Sequence, residues 1–224
     1  IYSTLLYTEF LDTKFNIIDT PGSDDFVGGV YSAFSVAENG ILLVNATQGV
    51  EVGTEIFARH AVKHQKPLII AVNQLDHEKQ DWQATIDSLK ATFGNKVVLV
   101  QYPVNPGVEF DTFIDVLKMK MYKFKDENGT RESFEIPEEY KEEALALHQQ
   151  LVEMAAENDE NLMETFFEKG QLTEDEIRAG MKVGMQLGDI LPVFCLSAKK
   201  DIGVKRIMEF TINAGITPDK VDNL

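Results

Sequence analysis

Three short strings carry side chains suited to one kind of chemistry. Asp19-Thr20-Pro21-Gly22 follows the apolar run Phe15 to Ile18. A carboxylate at the carboxyl end of a strand can hold a magnesium ion through water, and a glycine three residues on lets a backbone N–H approach a γ-phosphate. Asn73-Gln74-Leu75-Asp76 follows the run Pro67 to Val72. An acid there can accept two hydrogen bonds from the N1–H and 2-amino group of guanine, which adenine does not offer. Asn73 would then brace the neighbouring loops. Ser197-Ala198-Lys199 follows the run Leu191 to Leu196, where the Ala198 N–H could meet guanine O6. Each string alone has a plainer reading: a turn after a strand, an Asn/Asp turn capping the next helix, a trivial tripeptide. In this order, each at the carboxyl end of an apolar run, they make chance a poor explanation.

The elements that must position these strings alternate along the chain. Apolar runs at Phe15 to Ile18, Gly40 to Asn45, Pro67 to Val72, Lys96 to Tyr102 and Leu191 to Cys195 suit strands covered on both faces. Helical patterns lie between them at Asp25 to Ala37, Thr54 to His64, Trp82 to Phe93 and Val204 to Ala214. Such alternation predicts a doubly wound α/β domain. The opening, Ser3 to Leu11, reads as an edge strand that hairpins through Asp12-Thr13.

One stretch breaks the pattern. Asn73 and Ser197 lie 124 residues apart, whereas one βα unit needs about 30. Between Asp126 and Glu176 there are 17 acidic and 3 basic residues, while the rest of the chain is nearly neutral. This acidic insert predicts a strand at Phe113 to Phe124 and helices at Tyr140 to Glu157, Glu160 to Glu168 and Glu174 to Met185. Pro137 suits the first helical turn, and Thr173 with Glu176 forms a capping-box signature. Three segments follow: residues 1–104, an α-rich α+β insertion at 105–188, and 189–224 with the last strand and helix.

Composition narrows the field. A hydrophobic fraction of 44% and a charged fraction of 26% are those of a globular chain and exclude wholesale disorder. No apolar run is long enough for a membrane span. A net charge of −16 argues against direct DNA binding and leaves ribosome binding through local patches open. The single Cys195 excludes an internal disulfide and fits a reducing compartment. His60 and His64 are i, i+4, but no metalloprotease context surrounds them, so packing is the stronger reading. Trp82, Phe93 and the pair Phe166-Phe167 likewise read as packing positions.

With these residues in view, the chain resembles the G domain of the elongation factor G family of translational GTPases. The likeness rests on FNIIDTPG, NATQGVEVGT (Asn45 to Thr54), AVNQLD, LPVFCLSAKKDIGVKRIMEF and the insert IPEEYKEEALALHQQLVEMAAENDENLME. The insert is the most specific part, being like the family's G′ subdomain. Related tetracycline-protection and release-factor GTPases share the core motifs without it. The resemblance implies GTP/GDP and Mg2+ as ligands, with Asp19, Gly22, Asn73, Gln74, Asp76, Ser197, Ala198 and Lys199 binding nucleotide and Asp19 holding Mg2+ through water. It implies action on the ribosome in translocation, a cytoplasmic location, and contact of the acidic insert with the ribosomal stalk protein.

Four departures qualify that likeness. The phosphate loop GxxxxGK[ST], which the family places upstream of Ile1, is absent. The expectation is that these residues belong to a longer chain or follow a cleaved segment. Ser23 stands where the family has a histidine that helps orient the attacking water. Asp24 adds a carboxylate beside Asp25. Gln74 replaces a lysine whose stem stacks on the base. Together they predict a divergent paralogue with weakened hydrolysis, the alternative being a ribosome-binding factor that uses the fold without the reaction.

Overall fold

The computed structural model describes residues 2–126 and 128–218, of Asp24 the backbone only. Its first element is a hairpin of β1 (Thr4–Phe10) and β2 (Thr13–Asp19), with Thr4 opposite Asp19. Leu11 and Asp12 turn the chain with φ of 48° and 57°, the doubly left-handed geometry whose twist suits a tight hairpin. The hairpin is a sheet of its own, so Phe15 to Ile18 is not the doubly covered parallel strand expected, and Leu5, Leu6, Tyr7 and Ile17 are exposed.

The central sheet is parallel, in the order β3 (Gly40–Asn45), β4 (Leu68–Asn73), β10 (Leu191–Cys195), β5 (Val97–Leu99). Helices α1 (Val27–Val36), α2 (Val52–Lys63), α3 (Trp82–Phe93) and α7 (Val204–Ala214) alternate with the strands, so the fold is α/β as expected. Leu42, Val44 and Ile70 face Ala58 and Ala61 of α2 and Leu89 of α3. On the opposite face Phe194 packs with Ile207 and Phe210 of α7. β4 and β10 are buried on both faces through Leu68–Val72 and Leu191–Cys195. β3 departs from that expectation, with Ile41 and Leu43 52% and 59% exposed. It is an edge strand whose buried side chains share one cluster with α2.

The insertion holds a second sheet, an antiparallel meander of β6 (Gln101–Pro103), β7 (Thr112–Asp115), β8 (Lys120–Phe124) and β9 (Arg131–Phe134), so its first strand lies before the start expected at 105. Two expected strands are thereby corrected. The run Lys96 to Tyr102 is two strands, β5 and β6, in different sheets. Val100 is the switch point: its N–H donates to Val193 O at 3.0 Å and its carbonyl accepts from Val116 N–H at 2.9 Å. Phe113 to Phe124 is a hairpin rather than one strand. Met119 adopts φ 50°, and Asp115 Oδ1 accepts the Lys118 N–H at 3.0 Å, closing the turn. Short, charged β9 carried no strand signal in the sequence.

Three helices complete the insertion: α4 (Glu138–Ala156), α5 (Glu160–Lys169) and α6 (Glu174–Leu187). The capping box forms at α6, where Thr173 and Glu176 exchange side-chain bonds with each other's backbone N–H. Leu151 and Ala155 of α4 and Ile177 and Met181 of α6 join Phe194 and Phe210 in one core cluster. The acidic helices thus cover a face of the central sheet. Trp82 and Phe93 pack against the other cluster. Phe166 is partly buried, but Phe167 is 79% exposed and is not the packing position expected. Consecutive residues on a helix point about 100° apart, so the two rings cannot share one face.

Candidate functional site

β4 and β10 are adjacent parallel strands, so their carboxyl ends deliver two of the three strings to one edge of the sheet. Asn73 ends β4, and its Oδ1 accepts the Ala198 N–H at 3.0 Å. Its carbonyl accepts the Ala46 N–H at 2.9 Å. One asparagine therefore ties together the loops that follow β3, β4 and β10. Leu75 is fully buried and pins its loop from below, donating to Leu196 O at 3.4 Å. Gln74 takes φ 64° with its side chain exposed, and Asp76 is half-buried beside it. Ser197 is fully buried; its N–H donates to Ile202 O at 3.0 Å and its Oγ accepts the Lys200 N–H at 3.3 Å. That closes a tight turn presenting Ala198 and Lys199 to solvent. To take guanine O6, the Ala198 N–H must share or give up its bond to Asn73.

The third string lies on the hairpin. Asp19 is the last residue of β2, with an exposed carboxylate. Gly22 has open space where a Cβ would stand, so no described neighbour demands glycine there. The Ser23 side chain is exposed, and its carbonyl accepts the Phe26 N–H at 3.0 Å to start the turn into α1. The carboxylate expected to matter at Asp24 lies outside the described side chains. Magnesium keeps several waters and takes one or two carboxylates together with phosphate oxygens. Asp19 fits one such ligand. Among the described residues no group of three or more His, Cys, Asp or Glu could hold a metal unaided.

His60 and His64 have ring centroids 4.3 Å apart, and Tyr31 of α1 stacks on His60 at 4.1 Å. Their place is the α1–α2 contact. Burial, then the nearby His64 and Lys63, holds His60 below its ordinary pKa.

Sequence reasoning missed a buried polar cluster behind the Ser197 turn. Arg206 on α7 and Asp115 on β7 are both fully buried, with Nε 2.6 Å from Oδ2. Burial opposes the guanidinium charge, but Asp115, Glu209 and Glu174 outweigh it and leave the pKa raised. Gln101 bridges from this pair to β10, its Oε1 accepting the Cys195 N–H at 3.1 Å and its Nε2 donating to Asp115 at 3.4 Å. Burial, then Asp115, pushes the Cys195 thiol well up. The available signal was an arginine beside the apolar stripe Ile207 and Phe210 of α7.

A parallel sheet whose loops gather an NxxD and an SAK string, with DTPG on the preceding hairpin, defines a GTP-binding domain of the translation-factor class. Residues 1–215 match the elongation factor Tu GTP binding domain family, and the chain belongs to it. An elongation factor G-like protein of Thermotoga maritima is 32% identical over 212 residues, which is 95% of this chain and 30% of that relative. A crystal structure of a Thermus thermophilus protein superposes with a TM-score of 0.87 at 27% identity, covering 98% of this chain and 33% of the other. Over nearly its whole length, then, the chain is similar to an elongation factor G-like protein. It spans about a third of the length of the relatives it matches. Among the described residues no helix is long and apolar enough to cross a membrane.

Proposed function

We propose that this chain carries the guanine-selecting loops of a nucleotide site and acts on the ribosome in translocation. Asp76 accepts N1–H and the 2-amino group of guanine, Asn73 and Ala198 support the base, and Gln74 and Lys199 flank it. Asp19 holds Mg2+ through water, and the Gly22 N–H senses the γ-phosphate of GTP. The acidic insert offers a face to the ribosomal stalk protein, and the work is cytoplasmic. The observation that carries this reading is the 3.0 Å bond from Ala198 N–H to Asn73 Oδ1, which joins the two base-reading loops. Replacing Asp76 by Ala tests it, because GDP and IDP differ only in the 2-amino group. Wild type should prefer GDP, and Asp76→Ala should erase most of the gap, about tenfold or more for one site-matched polar pair. A gap that survives the substitution contradicts the assignment.

A second reading is a ribosome-binding paralogue with deficient hydrolysis. Ser23 favours it, since an exposed, short hydroxyl stands at the water-orienting position. Ribosome-stimulated GTP turnover separates the two: release of phosphate supports the first, and ribosome binding without turnover supports the second.

A further inference from the structure

The Ser197–Lys199 turn is held at both ends and in the middle by residues of the insertion. At its start, Cys195 ends β10 after the partner strand β5 has already left the sheet at Leu99. Cys195 stays paired with Val72 of β4 on one side; on the side β5 has left, its N–H is taken by the Gln101 side chain of β6. At its end, α7 begins after Gly203, and Arg206 in the first turn is locked onto Asp115 of β7. In between, Lys200 Nζ donates to the carbonyls of Val108 and Phe110, at 2.6 and 3.4 Å, on the segment joining β6 to β7. Gly107 from that segment also donates its N–H to Leu75 O at 2.7 Å, reaching the second base-reading loop.

The ion pair is poorly built as glue. Arg206 Nη1 and Nη2 find no hydrogen-bond partner among the described residues, and a buried ion pair is weak grounds for stability compared with an apolar filling. A charge pair at zero exposure does better at fixing register, since only one placement of α7 on β7 lets Nε reach Oδ2.

We propose that Gln101, Asp115, Arg206 and Lys200 are positioning residues through which the insertion sets the guanine-reading turn, coupling the insert's own position to nucleotide affinity. The ligand class rests on the guanine reading given above. The coupling itself is a statement about the turn and is measured without ligand.

Amide hydrogen exchange at Ser197–Ile202 is the test, with the amides of β4 as the internal reference for global opening. Two variants are compared with wild type. Asp115→Asn with Arg206→Met removes both charges while keeping an acceptor for the Lys118 N–H. Lys200→Met cuts the middle tie and disturbs no buried charge. Both should raise exchange in the turn about tenfold while β4 stays protected. GDP and IDP affinities should fall by the same factor, because O6 is common to both; this differs from Asp76→Ala, which changes their ratio. Turn exchange equal to wild type, or rising only in step with β4, overturns the proposal. If the double variant does not fold, the outcome for Lys200→Met decides. Absence of guanine-nucleotide binding by wild type would sink the functional reading and leave the exchange result to judge the positioning role.

Discussion

His60 and Arg206 both carry titratable groups among apolar neighbours, and their surroundings act on them in opposite directions. Arg206 has a carboxylate within 2.6 Å, and its charge is retained despite complete burial. His60 has aromatic rings and like charges: Tyr31 and Phe34 from α1, His64 and Lys63 from its own helix. Its native pKa therefore lies below the ordinary 6.5. The unfolded chain then binds a proton where the folded chain still resists it, so stability rises with pH across that window. The contribution is fully present above the unfolded pKa and is lost as pH falls through the native one. Lowering the pH from about 7.5 to about 5 should lower the thermal midpoint of wild type more than that of His60→Gln. Equal losses in the two proteins would show that the stack does not resist protonation. The i, i+4 spacing of the histidines was visible in sequence, but their ring contacts with Tyr31 depend on how α1 meets α2. No local pattern encodes that.

At the scale of elements, the sequence was most readable where one physical signal dominates. Trp82–Phe93 and Val204–Ala214 appear as helices with the expected bounds, because apolar periodicity and flanking breakers agree there. The run from Lys96 to Tyr102 misled because β-propensity continues through Val100 while the hydrogen-bond partners change. Strand propensity describes a residue's fit to a pleated surface and says little about which sheet it joins. The α4–α6 contact gives a prediction at this scale. A Cβ on Gly180 would stand 2.3 Å from Ala155 O, a backbone atom that no rotamer change can move. Alanine gains about 1 kcal/mol in helix propensity over glycine, but overpacking costs about 1–3 kcal/mol. Gly180→Ala should therefore lower the urea midpoint; a higher midpoint would mean that α4 and α6 can separate freely.

Across the whole molecule, the acidic insert was legible from charge and spacing, yet its integration was not. Phe110, Phe113 and Phe124 sit in one central core cluster, and Leu151, Ala155 and Met181 sit in the other. The insertion is built into both faces of the central sheet, the same sheet whose strand ends carry the Asn73–Asp76 and Ser197–Lys199 loops. The three strings were readable because each needs only a strand end and a few residues. The Gln101–Asp115–Arg206 cluster was not, because its members are separated by 14 and 91 residues and meet only after both sheets have formed. An amide NMR titration of this chain with GDP and, separately, ADP in the presence of Mg2+ tests whether these loops read guanine. GDP should shift the amides of Asn73–Asp76 and Ser197–Lys199, and ADP at the same concentration should leave them in place. Equal shifts from both nucleotides, or shifts confined to other regions, would contradict the assignment of these loops to guanine.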